Sequence, residues 1–272
     1  MPLTLVHPLA VWPLRRTRLF SAFVAGSMAP DFRRLTIPMG DAPYHTWSAA
    51  VEYYLPSALL ALFLYHRLIK LPMISLAARR YQPWLVRSSP NFPFTPFSRF
   101  AAIVLATFAG IATHLLWDAF THPGAWGLIW LGLDNKYIQF ATHYRLTVAL
   151  FLWDLSTLIG IVIMSVILYR AFSRNAGPRA REPKVPPIKI MGAGKALLIL
   201  MALVLAALPG FVMLARDPQY WLHDERRQLL AFFAVSGLDV VLLEIVTFSV
   251  LWQIRNRDWT QEAADAGTSA DL

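Results

Sequence analysis

The feature that most constrains the fold is a run of twenty residues without a charge, at positions 196–215 (ALLILMALVLAALPGFVMLA). As a helix rising about 1.5 Å per residue, this run would be about 30 Å long, which matches the hydrocarbon core of a bilayer. Four more apolar runs with one or two polar interruptions lie at about 47–65, 100–117, 147–169 and 229–254. We therefore expect an all-α fold, a polytopic helical membrane bundle with about five transmembrane helices.

The composition supports this class. Hydrophobic residues make up 57% of the chain and charged residues 15%, whereas soluble domains carry about 25% charged residues. The net charge of +9 comes mostly from the connections between apolar runs, where contact with lipid headgroups and topology selection explain it. We therefore expect membrane lipids, and no nucleic acid, as partners. Because the chain has no cysteine, disulfides and thiolate metal sites are excluded.

The distribution of basic residues predicts an orientation. The connections 66–99 and 170–195 carry six and seven Lys or Arg, whereas 118–146 carries two. The positive-inside rule then places the first two connections and the C-terminus in the cytoplasm, and the N-terminal region with 118–146 on the outer face of the inner (cytoplasmic) membrane. Several arginines of the N-terminal region, among them Arg15 and Arg16, do not fit this orientation.

The chain organisation follows from the same pattern. The stretch LFSAFVAGSMAP before Asp31 is too short to span a bilayer and predicts a short re-entrant or buried N-terminal helix, which Pro30 should end. We expect a motif-bearing membrane domain with three spans, a flexible basic cytoplasmic linker, two further transmembrane helices and a disordered acidic tail, at 1–170, 171–195, 196–257 and 258–272 respectively.

The stretch THLLWDAFTHPGAWG (113–127) carries His114, Asp118 and His122 at intervals of four residues. Positions i and i+4 share one helix face, so His114 and Asp118 can present two ligands to one divalent metal ion. His122 would lie about 12 Å from His114 along an unbroken helix. It can bind the same ion only if the helix breaks before it, as the following Pro-Gly pair favours. Otherwise it serves a second metal or contacts substrate.

Two ligands make a poor site, and three further candidates are His7, Asp31 and His45. His45 precedes the first span, while His114 and Asp118 end the second, so two antiparallel spans bring them to one membrane face. The N-terminal region belongs to that face as well. The alternative interpretation is that each of these residues is an ordinary interhelical hydrogen-bonding group.

Four segments, HPLAVWPLRR, SAFVAGSMAPDF, YHTWSA and THLLWDAFTHPGAWG, resemble in order and spacing the bacterial membrane family called domain-of-unknown-function 4184. The resemblance covers about the first 170 residues. The layout is similar to a wider set of proteins described as membrane-bound metal-dependent hydrolases, and more distantly to zinc-dependent phospholipase C and related nucleases. This resemblance implies five metal ligands, His7, Asp31, His45, His114 and Asp118. His122 matches only the closer family, for which there is no established reaction to carry over.

From these residues we expect a metal-dependent hydrolase acting on an amphiphilic ester or phosphoester at the membrane surface. Imidazole and carboxylate ligands suit zinc, or else manganese or iron. Asp31 or Asp118 could act as the general base. Arg15, Arg16 and Arg18 would bind the phosphate headgroup of a phospholipid-like substrate, which would also explain why these arginines do not fit the predicted orientation.

A different class of function stays open. Three acids lie within predicted spans, Asp154, Asp239 and Glu244, and intramembrane carboxylates are candidates for an ion path. The alternative is therefore a transporter or ion-conducting helical bundle, although the chain shows no internal repeat of the kind that transporters often have. A third possibility is a structural protein that uses a metal only as a clamp.

Overall fold

The computed structural model describes residues 4–36, 46–88, 92, 94–141, 144–175, 192–216 and 226–258. These residues are mostly helical. The chain divides into two compact units, of which unit 1 comprises residues 1–63 and 92–175 and unit 2 comprises residues 64–91 and 176–272. The predicted linker lies outside the described residues between 176 and 191, and so does the predicted tail beyond 258.

The elements follow one another in this order: 3₁₀ segments Thr4–Leu9 and Trp12–Leu14, α1 (Phe20–Thr36), α2 (Trp47–Ala49), α3 (Leu55–Leu64), α4 (Lys70–Leu76), α5 (Gln82–Ser88), α6 (Phe97–Asp118), α7 (Trp126–Trp130), β1 (Tyr137–Ala141), β2 (Tyr144–Thr147), α8 (Val148–Arg174), α9 (Gly192–Arg216) and α10 (Arg226–Arg255). Two π-helical turns, Ala50–Tyr54 and Tyr65–Ile69, join α2, α3 and α4 into one continuous helix.

Three helices in the described part of the chain are long and apolar enough to cross a membrane, namely Trp47–Leu76, Phe97–Asp118 and Val148–Arg174. They contain the first three predicted spans, and their number is smaller than the five expected. The other two predicted runs, 196–215 and 229–254, fall within α9 and α10. Those runs are therefore confirmed as helices, and their crossing of the membrane stays a prediction.

The first of these helices is longer than the apolar run that predicted it. The run ends at about residue 65, whereas the helix continues through His66, Arg67 and Lys70 to Leu76. Polar side chains end an apolar run without ending a helix, because the backbone hydrogen bonds that define the helix do not depend on side-chain polarity. The prediction that a connecting loop starts at residue 66 is therefore wrong.

Helix α1 has 17 residues and continues through Pro30 to Thr36, so the prediction that Pro30 ends it is wrong. Proline removes one backbone donor from a helix interior, but packing against α6 holds this helix together. Gly26 of α1 lies against the backbone of Thr107, and Gly110 of α6 lies against the backbone of Phe23. Small residues at a helix crossing let two backbones approach closely, and here they bring α1 and α6 into direct contact.

The core of unit 1 joins three helices. One cluster contains Ala29 of α1, Ile111 and Leu115 of α6, and the buried residues Ala50 and Tyr54 near the start of the helix Trp47–Leu76. All of these side chains are 4% exposed or less. Helix α1 and the start of the helix Trp47–Leu76 therefore pack against the part of α6 that carries His114.

A short β-hairpin departs from the predicted all-α fold. Strands β1 and β2 are antiparallel, with Tyr137 opposite Thr147 and Ile138 opposite Leu146. The guanidinium group of Arg145 lies 4.9 Å from the centre of the Tyr137 ring. Aromatic and branched side chains at these positions favour strands, a signal too short to stand out beside the long apolar runs.

Unit 2 has a small core of its own. Ile74 of α4 and Trp252 of α10 are buried together, with Leu71 and Phe248 packed around them. The side-chain amide of Gln253 donates to the backbone carbonyl of Arg67 at 3.3 Å. These contacts fix the C-terminal part of α10 against the end of the first long helix.

Candidate metal centre

Three buried side chains from three separate elements converge in unit 1. His7 comes from the first 3₁₀ segment, Asp31 from α1 and His114 from α6, and each offers one ligand atom within 4.8 Å of the other two. The exposed fractions of these residues are 4%, 6% and 0%. Residues that lie far apart in the sequence thus form a single cluster of metal-binding chemistry.

Asp118 completes this cluster from the end of α6. Its Oδ2 atom lies 3.1 Å from Nε2 of His114, and its Oδ1 atom lies 3.9 Å from Nε2 of His7. Nε2 of His114 also lies 4.0 Å from Oδ1 of Asp31. The His7 and His114 rings stack with centroids 3.7 Å apart and an angle of 18° between their planes. We refer to His7, Asp31, His114 and Asp118 as the buried cluster.

The orientation of the His114 ring is set by a backbone group. Its Nδ1 atom lies 2.7 Å from the carbonyl oxygen of Ser27 in α1. A carbonyl can only accept, so Nδ1 carries a proton and donates it, and Nε2 is the ring nitrogen that faces the carboxylates. No pattern of residue types could indicate this role for Ser27, because any residue type supplies a backbone carbonyl.

His122 lies at the edge of the buried cluster. Helix α6 ends at Asp118, and the backbone amides of Thr121 and His122 both donate to the Asp118 carbonyl, at 3.1 and 3.0 Å. The regular α-helix therefore ends before His122, in a tighter turn, as binding of His122 to the same ion as His114 would require. Nδ1 of His122 lies 3.5 Å from Oδ1 of Asp118, and the His122 side chain is 25% exposed.

The turn that carries His122 is fixed by its own hydrogen bonds. Gly124 has a φ of +73°, a backbone conformation that glycine adopts without strain. Its amide donates to Oδ1 of Asp134 at 2.5 Å, and the amide of Leu128 donates to the carbonyl of Ala119 at 3.1 Å.

Burial lowers the pKa of His122, and the neighbouring Asp118 carboxylate partly opposes this shift. His122 is therefore kept neutral at neutral pH.

The charges of the buried cluster are compatible with a bound cation. Asp31 and Asp118 are two carboxylates removed from water, and burying a carboxylate is costly unless a cation or several hydrogen bonds compensate for it. The stacking of His7 on His114 at 3.7 Å disfavours a positive charge on both rings at once. A divalent cation would balance both carboxylates while leaving both imidazoles neutral.

The donor set fits a zinc-type ion. Two imidazoles and two carboxylates are common zinc ligands, and bonds of about 2.1 Å in tetrahedral geometry place ligand atoms roughly 3.4 Å apart. Separations of 3.1, 3.9 and 4.0 Å between donor atoms of the buried cluster lie close to this value.

His45, the remaining predicted ligand, lies outside the described residues. The helix that follows it begins at Trp47, with Thr46 accepting a hydrogen bond from the amide of Ala49 as its N-cap. Ala49 belongs to the same hydrophobic cluster as Ala29 and Leu115. The start of this helix therefore packs beside residues that flank Asp31 and His114.

The predicted substrate-binding arginines are not part of the buried cluster. Arg15, Arg16 and Arg18 are all exposed, in the turn between the second 3₁₀ segment and α1. The guanidinium group of Arg15 donates to the carbonyl of Trp12 at 3.4 Å and lies 5.5 Å from the centre of the Trp12 ring. These arginines form a basic surface on the chain segment that follows His7.

Three acids belong to the alternative ion path, and the structure describes the side chains of two of them. Asp154 is exposed on α8, and Glu244 is partly buried in α10. The side chain of Asp239 lies outside those that the structure describes. A shared path for the three acids therefore stays a prediction.

The chain was also compared with known proteins. No curated protein and no solved structure matches it. The model of one protein family matches residues 1–251, which extends well beyond the four segments that suggested the resemblance. The chain belongs to this family, which is described as Domain of unknown function (DUF4184).

Proposed function

We propose that the buried cluster binds one divalent metal ion, zinc or else manganese or iron, and that the protein is a metal-dependent hydrolase. The observation that carries this proposal is the convergence of His7, Asp31 and His114 from three elements within 4.8 Å. The imidazole and carboxylate donors of the buried cluster, which come from three separate elements, favour a divalent ion over a purely structural hydrogen-bond network.

A bound divalent ion supplies Lewis acidity, since it lowers the pKa of a water molecule and stabilises negative charge on a phosphoryl or carbonyl oxygen. The reaction is hydrolysis: the oxygen of water bonds to the phosphorus or carbonyl carbon, the ester bond breaks, and the leaving oxygen takes up a proton. A neighbouring carboxylate that is not fully engaged as a ligand, Asp31 or Asp118, accepts the proton of the water.

The other residues of the site orient these groups and move protons. The Ser27 carbonyl holds the His114 ring so that Nε2 faces the carboxylates. His122 contacts the Asp118 carboxylate with Nδ1 and is partly exposed, so it can pass a proton between this carboxylate and solvent. His45 belongs to the proposed ligand set through its position before the first span and through the family resemblance.

The substrate class follows from the surroundings of the site. Asp118 ends a helix that is apolar enough to cross a membrane, and the arginines at 15, 16 and 18 are exposed beside a neighbouring segment. We therefore assign an amphiphilic ester or phosphoester at the surface of the inner membrane as substrate, with the site on the outer face and the C-terminus in the cytoplasm.

Metal content tests the proposal first. Detergent-purified wild type, prepared without chelator and with any histidine tag removed, is compared with His114→Ala and Asp118→Asn by inductively coupled plasma mass spectrometry. We expect near-stoichiometric metal in the wild type and its loss in both variants, because each removes a donor atom from the buried cluster.

Asp154→Asn is the matched control, since it makes the same chemical change on the exposed surface of α8 and should retain the metal. Metal-free wild type that cannot be reloaded would exclude the metal centre. If the metal is present, the release of fatty acid or phosphate from lipid vesicles should require it and should disappear in Asp31→Asn. Unchanged hydrolysis in that variant would contradict the catalytic assignment.

A further inference from the structure

An open groove of ≈ 730 Å³ lies beside the buried cluster, between the first 3₁₀ segment, α6 and α8. This volume is in the range of small-molecule sites, which usually measure about 300–1,000 Å³. Its wall on α8 runs from Leu152 to Ile163, which is about 16 Å at the helical rise per residue. The groove therefore runs along the direction in which α8 would cross a bilayer.

The groove is apolar even where its lining residues have hydroxyl groups. Thr113 donates to the carbonyl of Gly110 at 2.7 Å, and Ser156 donates to the carbonyl of Trp153 at 3.0 Å. Thr121 lies 3.3 Å from the carbonyl of Trp117 in the same way. Because these hydroxyls bond to their own helices, the groove offers few polar groups to a ligand. This surface suits a hydrocarbon chain and not a sugar or a peptide backbone.

The groove shares lining residues with a small cavity beside the buried cluster. A small cavity of ≈ 10 Å³ is lined by Val6, His7, Ala10 and Trp117, and all of these except His7 also line the groove. This volume is about that of one water molecule. A molecule lying in the groove would therefore end beside His7, with room for a water molecule between them.

Basic residues follow the same wall closely along the chain. Leu9 and Ala10 line the groove, and the exposed arginines 15, 16 and 18 follow within eight residues. An anionic headgroup attached to a chain in the groove would find complementary charge there.

Gly160 of α8 maintains the shape of the groove. Any side chain at that position would overlap Val6 and displace the wall that Val6 belongs to.

We propose that the groove binds an acyl chain of an anionic membrane phospholipid and so presents the ester groups of that lipid at His7. The claim that the bound lipid is a substrate rests on the proposed function. Binding of the chain itself depends on the groove alone and does not require a metal.

Photo-crosslinking in lipid nanodiscs tests the proposal. The full-length protein is placed in nanodiscs of phosphatidylethanolamine and phosphatidylglycerol, with a trace of phosphatidylglycerol that carries a diazirine on one acyl chain. Crosslinked residues are mapped by peptide mass spectrometry. We expect labels to concentrate on Leu116, Leu155 and Ile159, which line the groove, and to be lost in Ile159→Trp, because the indole fills the groove.

Leu158→Trp is the control. Leu158 is the neighbouring residue on α8, is 62% exposed and does not line the groove, whereas Ile159 is 49% exposed. The groove labels should persist in this variant. Leu155→Trp serves as a second filling variant should Ile159→Trp not fold, as judged by its elution and thermal unfolding.

Three results would overturn the proposal. Equal labelling of Leu158 and Ile159 would indicate ordinary lipid surrounding the protein. A groove free of label would show that another part of the chain or a second copy covers it, and groove labelling unaffected by both filling variants would exclude a specific site. Metal content, measured on the same samples, separates the two proposals. Groove labels without metal reject only the hydrolase, and metal without groove labels rejects only the lipid site.

Discussion

At the scale of single residues, the site depends on how His114 is held between a backbone carbonyl and two carboxylates. Nδ1 of His114 donates a hydrogen bond to the backbone carbonyl of Ser27, and Nε2 lies 3.1 Å from Oδ2 of Asp118. The spacing of four residues between His114 and Asp118 was enough to predict that they share one helix face. It could not predict that Asp31 reaches the same point, since that depends on where α1 crosses α6.

The pH dependence of folding should report on His122. Burial lowers its pKa below the usual value of 6.5, so the unfolded chain binds a proton more readily than the native protein does. The stability from the neutral ring is present above about pH 6.5 and is lost as the pH falls below that value. We expect the thermal unfolding temperature of metal-free wild type to fall more steeply with acidification than that of His122→Gln. Parallel curves for the two proteins would contradict this assignment.

At the scale of elements, the crossing of α1 and α6 decides whether the buried cluster exists. Asp31 lies on α1, and His114 and Asp118 lie on α6, so the distance between the two helix backbones sets the distance between these side chains. Gly26 and Gly110 make the close approach possible, because a Cβ at either position would overlap the backbone of the other helix. The glycines therefore matter to the site although neither carries a functional group.

Gly110→Ala should separate the two helices. The new methyl group would overlap the Phe23 carbonyl, and overpacking of this kind costs about 1–3 kcal/mol, more than the roughly 1 kcal/mol that alanine gains over glycine in a helix. We expect a lower unfolding temperature and reduced metal content. Ala109→Val, on the exposed face of α6, is the control and should change neither. Full metal occupancy in Gly110→Ala would show that the helix spacing does not set the site.

At the scale of the whole molecule, the location of the site depends on the direction in which the helices cross the membrane. Helix α8 has 27 residues, which makes it about 40 Å long and sufficient to cross a bilayer. The loop before α8 is poor in basic residues and the segment after it is rich in them. The positive-inside rule therefore predicts that α8 starts at the outer face, and it predicts the same face for Asp118.

Cysteine labelling tests this orientation directly, because the chain contains no cysteine of its own. Single cysteines are introduced as Asn135→Cys before α8 and Ser173→Cys at its end, both at exposed positions. A membrane-impermeant maleimide should label Asn135→Cys in intact cells and Ser173→Cys only after permeabilisation. The reverse pattern would put the site on the cytoplasmic face, and labelling of both in intact cells would show that α8 does not cross.

The sequence by itself determined the helical class, the positions of the long helices and the residue types of the site. These depend on local properties: apolar runs, the helical repeat, and the imidazole and carboxylate groups at fixed spacing. The topology of the predicted spans placed His7, Asp31 and His45 on the same membrane face as His114 and Asp118, and the family resemblance implied the same five residues as ligands. Local patterns also failed in identifiable places, since α1 continues through Pro30, the first long helix continues past His66, and a short hairpin follows α7.

Only the tertiary structure decided which candidates meet, because meeting depends on packing between segments that are distant in the chain. It brought His7, Asp31, His114 and Asp118 together and left Arg15, Arg16 and Arg18 on the surface. It also supplied the Ser27 carbonyl and the groove beside His7. A backbone oxygen and an apolar groove carry no signature in residue type, since they arise from the close approach of whole helices.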